Sequence, residues 1–341
     1  MSDVEKRKDD HIYINLEKDV RSGTITGFKN YSFVHQALPE IRLKDISTDT
    51  RFLGFDFKLP LMISSMTGGT TQGNRINDIL AEAAQATGIA MAVGSQRAQL
   101  ESSEPGKSST LRKIAPDIPL FANIGAVQLN YGYSVAECQK AIDLLEADAL
   151  MLHLNSLQEA LQPEGQTDFS GLAKKIGEVC KGLTVPVIIK EVGWGVSLET
   201  AKTLIDLGVS TIDVAGAGGT SWSEVEKYRS RDASYYRIAE KFRDWGNPTA
   251  DAIKHISEGL PAIPLIASGG ITGGMEIAKS IALGADIAGI ARPFLLAANE
   301  SLESVLALIE EIKLELMITM FAAGAADIPS LSKTPIFYRS E

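Results

Sequence analysis

Eight times along 341 residues, a short run of apolar or β-branched residues gives way to polar or glycine-rich positions at what would be a strand end. The runs fall at residues 61–65, 89–93, 120–124, 149–154, 187–190, 211–215, 264–267 and 287–291. They are continuous rather than alternating, as expected of parallel strands covered on both faces. Between them, residues 74–87, 134–146, 172–181, 197–207 and 275–283 carry apolar side chains at helical spacing. Eight β-α units in succession predict an α/β fold, a closed (β/α)8 TIM barrel. An open doubly wound sheet is the rival, but it rarely needs so many uniform units.

Strand starts are spaced by about 30 residues except in two places: about 60 residues precede the first run, and about 50 separate the sixth start from the seventh. The expected organisation is one domain, 1–341, since a barrel absorbs this length. It comprises an N-terminal extension (1–60), the barrel (61–300), a lid-like insertion after strand 6 (220–248), and a C-terminal helix and tail (301–341), with the helix over 302–320. The insertion holds Trp222, Tyr228, Arg229, Tyr235, Tyr236 and Trp245. It reads either as a surface helix plus loop or as a lid over the C-terminal rim, where active sites of this fold sit.

Composition narrows the partners. Lys and Arg number 33 against 43 Asp and Glu, a net charge of −10. General nucleic-acid or anionic-membrane binding is therefore not expected, although a local basic pocket stays open. No apolar run reaches the roughly 20 residues needed for membrane insertion, and the charged N-terminus is unlike a signal peptide. Two cysteines, Cys138 and Cys180, form no disulfide framework and suit a reducing cytoplasm.

Polar residues gather where the runs end: Ser64-Ser65-Met66-Thr67-Gly68-Gly69, Ser95-Gln96-Arg97, Asn123, His153-Leu154-Asn155, Lys190-Glu191-Val192-Gly193 and Gly218-Gly219-Thr220. A barrel brings all of these ends to one rim and one pocket. The last two ends, Ser268-Gly269-Gly270-Ile271-Thr272-Gly273-Gly274 and Ala291-Arg292-Pro293, read as a phosphate grip or as ordinary tight turns. Neither the P-loop nor the dinucleotide fingerprint is present, which favours a mononucleotide phosphate. Lys190 either pairs with Glu191 or another rim carboxylate, or stands beside an anionic cofactor ring. Glu159 is a helix-start glutamate favoured by the helix dipole, or one carboxylate holding Mg²⁺ beside a substrate phosphate. His153 alone reads as a hydrogen-bonding residue. Arg7-Lys8-Asp9-Asp10-His11 reads first as a solvated, frayed terminus, and becomes functional only if the extension folds over the rim.

Taken together, these segments resemble the type 2, FMN-dependent isopentenyl-diphosphate isomerases. The resemblance is carried by Arg7-Lys8-Asp9-Asp10-His11, Met66-Thr67-Gly68-Gly69, Ser95-Gln96-Arg97, His153-Leu154-Asn155 with Gln158-Glu159, Lys190-Glu191-Val192-Gly193, Gly218-Gly219-Thr220-Ser221-Trp222 with Glu226, and Asp244-Trp245-Gly246. It implies FMN contacts by Ser65, Met66, Thr67, Ser95, Asn123, Lys190 and Thr220, with Gly269, Gly270, Ile271, Thr272, Ala291 and Arg292 on the phosphate. It implies prenyl diphosphate contacts by Arg7, Lys8, Ser95, Arg97, Asn155, Gln158, Trp222 and Glu226, and Mg²⁺ on Glu159. Gln158 and His153 would be the protein's catalytic residues beside reduced FMN, which acts as acid and base while NADPH only reduces the flavin. A cytoplasmic homo-oligomer, tetramer or octamer, is implied as well. The segment Gln166-Thr167-Asp168-Phe169-Ser170 departs from the more charged Gly-Asp-Arg-Asp-Phe pattern associated with that family.

Other functions suit the same scaffold. A 2-hydroxy-acid oxidase-like FMN barrel would need a histidine base with an arginine near the pocket, and the sixth strand end, Gly218-Gly219-Thr220, offers no histidine. A non-catalytic flavin or phosphate-ligand sensor differs from the isomerase by lacking turnover, because fold alone never proves activity.

Overall fold

The structure, a computed structural model, describes residues 3–66, 68–101 and 111–339. Eight parallel strands, β1 (Leu61–Ile63), β2 (Ala90–Ala92), β3 (Leu120–Gly125), β4 (Ala149–Leu154), β5 (Val187–Glu191), β6 (Thr211–Asp213), β7 (Leu265–Ser268) and β8 (Ile287–Ile290), pair in chain order. Pairing of β8 with β1 closes the (β/α)8 TIM barrel, Ala288 lying opposite Leu61. Each run is continuous because each strand is covered twice. Met62 points into the barrel with Phe121, Met151, Ile188, Ile266 and Ile287, while Leu61 and Ile63 pack outward under the helices. The hairpin formed by Thr50–Phe52 and Phe55–Phe57 adds Phe52 and Phe57 to the inner cluster.

Several strands are shorter than the apolar runs, because their last residues turn out of the ladder to form the rim. Register places Gly125, His153, Lys190 and Asp213 directly opposite one another on β3 to β6. That row is the floor of the site.

The helices that matter for the site are α1 (Asp3–Glu17), α2 (Thr71–Thr87), α3 (Ser156–Leu161), α4 (Trp222–Arg229), α5 (Ala233–Glu240), α6 (Gly274–Ala282), α7 (Arg292–Glu300) and α8 (Leu302–Ala323). The 220–248 insertion thus contains two helices, α4 and α5. The C-terminal helix runs three residues past the expected 320 and stops at Gly324, whose φ of +75° suits a left-handed cap.

The frayed-terminus reading of the first residues is corrected. Helix α1 docks on the rim through Ile14, which packs with Val20 and Val225 and against Trp222, while Ile12 is buried in the main core. The chain that follows is stitched to the rim loops: Ser22 N–H donates to the Gly219 carbonyl and Ser221 N–H to the Val20 carbonyl, each at 2.8 Å. No helix among the described residues is long and apolar enough to cross a membrane.

Candidate active site

The strand ends surround a cavity of about 400 Å³, within the range of small-molecule sites. Its wall includes Arg7, Lys8, Ser65, Met66, Ser95, Arg97, Asn123, His153, Asn155, Gln158, Glu159, Lys190, Thr220 and Trp222, together with Gly269, Gly270, Ile271, Thr272, Ala291 and Arg292. Thr67 lies outside the described residues. Glu226 is not part of the wall. It stands one layer behind, buried, and accepts from Gln158 Nε2 at 3.2 Å while His11 Nε2 lies 3.1 Å away.

The floor is an ion pair. Lys190 Nζ lies 3.0 Å from Asp213 Oδ2, and Ser268 Oγ donates to Asp213 Oδ1 at 2.5 Å. Of the two readings of Lys190, the carboxylate pairing therefore exists, but the partner is Asp213 rather than Glu191, and the ammonium still borders the cavity. Glu191 instead accepts from the backbone N–H groups of Val192, Gly193, Trp194 and Gly195, which fixes the loop after β5. The neighbouring His153 has Nδ1 2.7 Å from Asn123 Oδ1. An amide oxygen only accepts, so Nδ1 carries the proton and Nε2 is left as an acceptor. Burial, then the charges of Lys190, Lys8 and Arg7, push its pKa down to about 4, so the imidazole is neutral.

On the arm side, Lys8 Nζ donates to the Gly68 carbonyl at 2.6 Å and the Ser95 carbonyl at 2.8 Å, tying α1 to the loops after β1 and β2. Burial lowers the pKa of Arg7 below its usual value, against the opposing pull of Glu159 and Glu164. Burial alone would raise Glu226, yet its hydrogen bond and charge pairing with His11, then Arg229 and Gln158, hold it below the usual carboxylate range.

Glu159 sits in the first turn of α3 with its carboxylate nearly filled by neutral donors. Oε1 accepts from Asn155 Nδ2 at 2.9 Å, and Oε2 from Gln162 Nε2 and the Gln166 N–H, each at 2.6 Å. A carboxylate offers about four lone-pair directions, so room for one cation is left. Among the described residues no group of three or more His, Cys, Asp or Glu could cage a metal. The donor set therefore fits a hard cation that brings most of its oxygens with it.

The glycine loop after β7 packs closely on the loop after β6. Gly269 and Gly270 adopt φ of +107° and +76°, and a Cβ on Gly270 would lie 2.6 Å from Gly218 backbone. The Thr272 N–H, however, already donates to Glu276 at 2.6 Å and the Gly274 N–H to Glu315 at 2.7 Å, so two carboxylates cover the start of α6. The start of α7 has no side-chain cap, so no side chain of the cap residue covers its first N–H groups. Sequence reasoning missed Asp213, Gln128 and Gln166; a charged residue inside the apolar run 211–215 was the one available signal for Asp213.

Residues 138–337 match the model of the FMN-dependent dehydrogenase family. The isopentenyl-diphosphate delta-isomerase of Rickettsia africae (strain ESF-5) is 50% identical over 337 residues, covering 98% of this chain and 97% of the relative. That of Oceanobacillus iheyensis is 48% identical over 332 residues, covering 97% and 95%. A solved structure of a mandelate oxidase variant with an FMN monooxide adduct superposes with a TM-score of 0.70 at 17% identity, over 99% of this chain and all of that one. At that identity the likeness concerns the fold alone.

Proposed function

The chain belongs to the FMN-dependent dehydrogenase family and to the isopentenyl-diphosphate delta-isomerases, and from that premise we propose that it interconverts isopentenyl and dimethylallyl diphosphate with reduced FMN as acid–base cofactor, Mg²⁺ on the diphosphate, and NADPH serving only to reduce the flavin. The observation that carries this reading is the division of charge within one cavity. Arg7, Lys8 and Arg97 line the side beneath α1, while Lys190 sits in the floor against Asp213.

The reaction adds a proton at the terminal alkene carbon and removes one from the carbon two bonds away, with no net redox change. Protonating an unactivated alkene develops tertiary carbocation character, which needs a dry, electron-rich neighbour. Bound and reduced, FMN supplies an electron-rich ring and a nitrogen that can give and take a proton. The residues present fit such a group. Ser64 Oγ and Asn155 Oδ1 are buried polar atoms without a hydrogen-bond partner among the described residues, Ser64 and Asn155 both line the cavity, and the uncapped start of α7 suits a phosphate. In this reading Ser65, Met66, Thr67, Ser95, Asn123 and Thr220 hold ring and ribityl, and Gly269, Gly270, Ile271, Thr272, Ala291 and Arg292 hold the phosphate.

Lys190, aimed by Asp213, would favour negative charge on a ring bound beside it. Gln158 is oriented by Glu226 and holds the alkene in place. His153, a neutral acceptor at Nε2, orients a donor rather than delivering a proton. Arg7, Lys8 and Arg97, with Mg²⁺ on Glu159, hold the diphosphate so that it does not leave when positive charge develops nearby. Asn155 and Trp222 complete the wall.

The test is anaerobic incubation with isopentenyl diphosphate, Mg²⁺ and FMN, with and without a reductant, followed by product analysis. Dimethylallyl diphosphate is expected only with reductant. Equal conversion with oxidised flavin overturns the acid–base reading, and no conversion under either condition overturns the reaction itself.

A further inference from the structure

Gln166 joins Arg97 and Glu159, which stand on two sides of one end of the cavity. Its backbone N–H donates to Glu159 Oε2 at 2.6 Å, and its side-chain Oε1 accepts from Arg97 Nη1 at 3.0 Å and from Gln128 Nε2 at 2.7 Å. Arginine has only donors, so the atom facing Arg97 must be the amide oxygen, and Gln128 then presents its own nitrogen. Gln128 is buried, 4% exposed, on the turn after β3, so the acceptor that aligns Arg97 is itself held by the barrel wall. The loop reaches this position because residue 165 is glycine: a Cβ there would come within 1.8 Å of the Glu159 carbonyl oxygen. Arg97 is braced from the other side by Glu101 at 2.8 Å.

The charge of the acceptor matters as much as its place. Arg97 already pairs with Glu101, so an amide oxygen at position 166 fixes the guanidinium without offsetting its charge further, whereas a carboxylate at the same spot would be a second anion on Arg97 and add a negative charge beside Glu159. We propose that Gln166 is a positioning residue for the diphosphate end of the substrate, aligning Arg97 with Glu159 while leaving the subsite cationic. This rests on the diphosphate-isomerase reading above.

Inorganic pyrophosphate is the probe, titrated calorimetrically into FMN-loaded protein without Mg²⁺ over a salt series, alongside the turnover assay. Gln166→Leu removes the acceptor and should weaken pyrophosphate binding about five- to tenfold, the scale of one net hydrogen bond. It should raise KM with kcat within about twofold and leave FMN affinity unchanged. Gln166→Glu keeps both donors engaged, so it is the control for misfolding. Its pyrophosphate affinity should also fall, with a shallower dependence on salt because one subsite charge is offset. Unchanged pyrophosphate affinity in Gln166→Leu, or an affinity in Gln166→Glu equal to or above that of the parent, overturns the proposal. Should the parent bind pyrophosphate and the variants weaken it while no isopentenyl diphosphate is turned over, the positioning role stands and the isomerase reading fails.

Discussion

At the scale of single residues, the site depends on charges that are affordable only in pairs. Asp213 is fully buried and Lys190 is 7% exposed, so removing either leaves the other uncompensated. Lys190→Met is expected to destabilise the fold by about 3–5 kcal/mol, read by chemical denaturation. The double variant Lys190→Met, Asp213→Asn should recover much of that stability while turnover stays lost. A double variant as unstable as the single one would show that the pair contributes something other than mutual charge compensation. His153 makes a second case, in its pH dependence. In the folded protein burial pushes its pKa down to about 4, from the ordinary 6.5 of a histidine. As pH falls through 6.5 the unfolded chain takes up a proton that the folded one refuses, so stability conferred at neutral pH declines down to about pH 4 and then levels. A His153→Gln variant should show a flatter Tm profile across that interval. Identical slopes would remove His153 as the titrating group.

At the scale of elements, the rim is shaped by contacts far apart in sequence. Thr249 Oγ1, completely buried, lies 2.6 Å from the Gly269 carbonyl and 3.2 Å from that of Ala217, and so holds two rim loops against each other. Thr249→Val keeps the shape and leaves the Ala217 carbonyl its bond from the Thr249 N–H, but strands the Gly269 carbonyl, at a cost of about 1–3 kcal/mol. Flavin fluorescence titration should show FMN affinity reduced several-fold, and unaltered affinity would argue against the glycine loop as the phosphate subsite. Such contacts also explain what was legible beforehand. The eight apolar runs were readable because both faces of a barrel strand are covered, and the strand ends named most of the cavity wall. Helix α1 was not, since its docking is decided by Ile14 meeting Val225 some two hundred residues away. Nor was the covering of α6 by Glu276 and Glu315, which takes up the Thr272 and Gly274 N–H groups while leaving every glycine in place. Asp213 was hidden by register: only the pairing of Ile188 with Thr211 and Lys190 with Asp213 brings it under the lysine.

At the scale of the whole molecule, a chain of net charge −10 encloses a cavity whose wall carries Arg7, Lys8, Arg97, Lys190 and Arg292. Lys190 and Arg97 are partly offset by Asp213 and Glu101, but the cationic side chains still converge on one cavity only in the folded state, where the strand ends are brought together, so an anionic ligand favours that state. A ligand binding only the folded state stabilises it by about 2.7 kcal/mol at a hundredfold excess over Kd. For a chain of this size that corresponds to a rise in Tm of several degrees. FMN should therefore raise Tm in wild-type protein in proportion to the logarithm of its concentration above Kd, and by more at a given concentration at low salt, where the phosphate contributes most. Gly270→Val provides the contrast. At φ +76° and against Gly218 the branched side chain has no room, so the loop must shift, and the FMN-dependent rise should vanish even where the variant still melts cooperatively. A wild-type Tm indifferent to FMN would mean that the cavity at the strand ends was built for some other ligand.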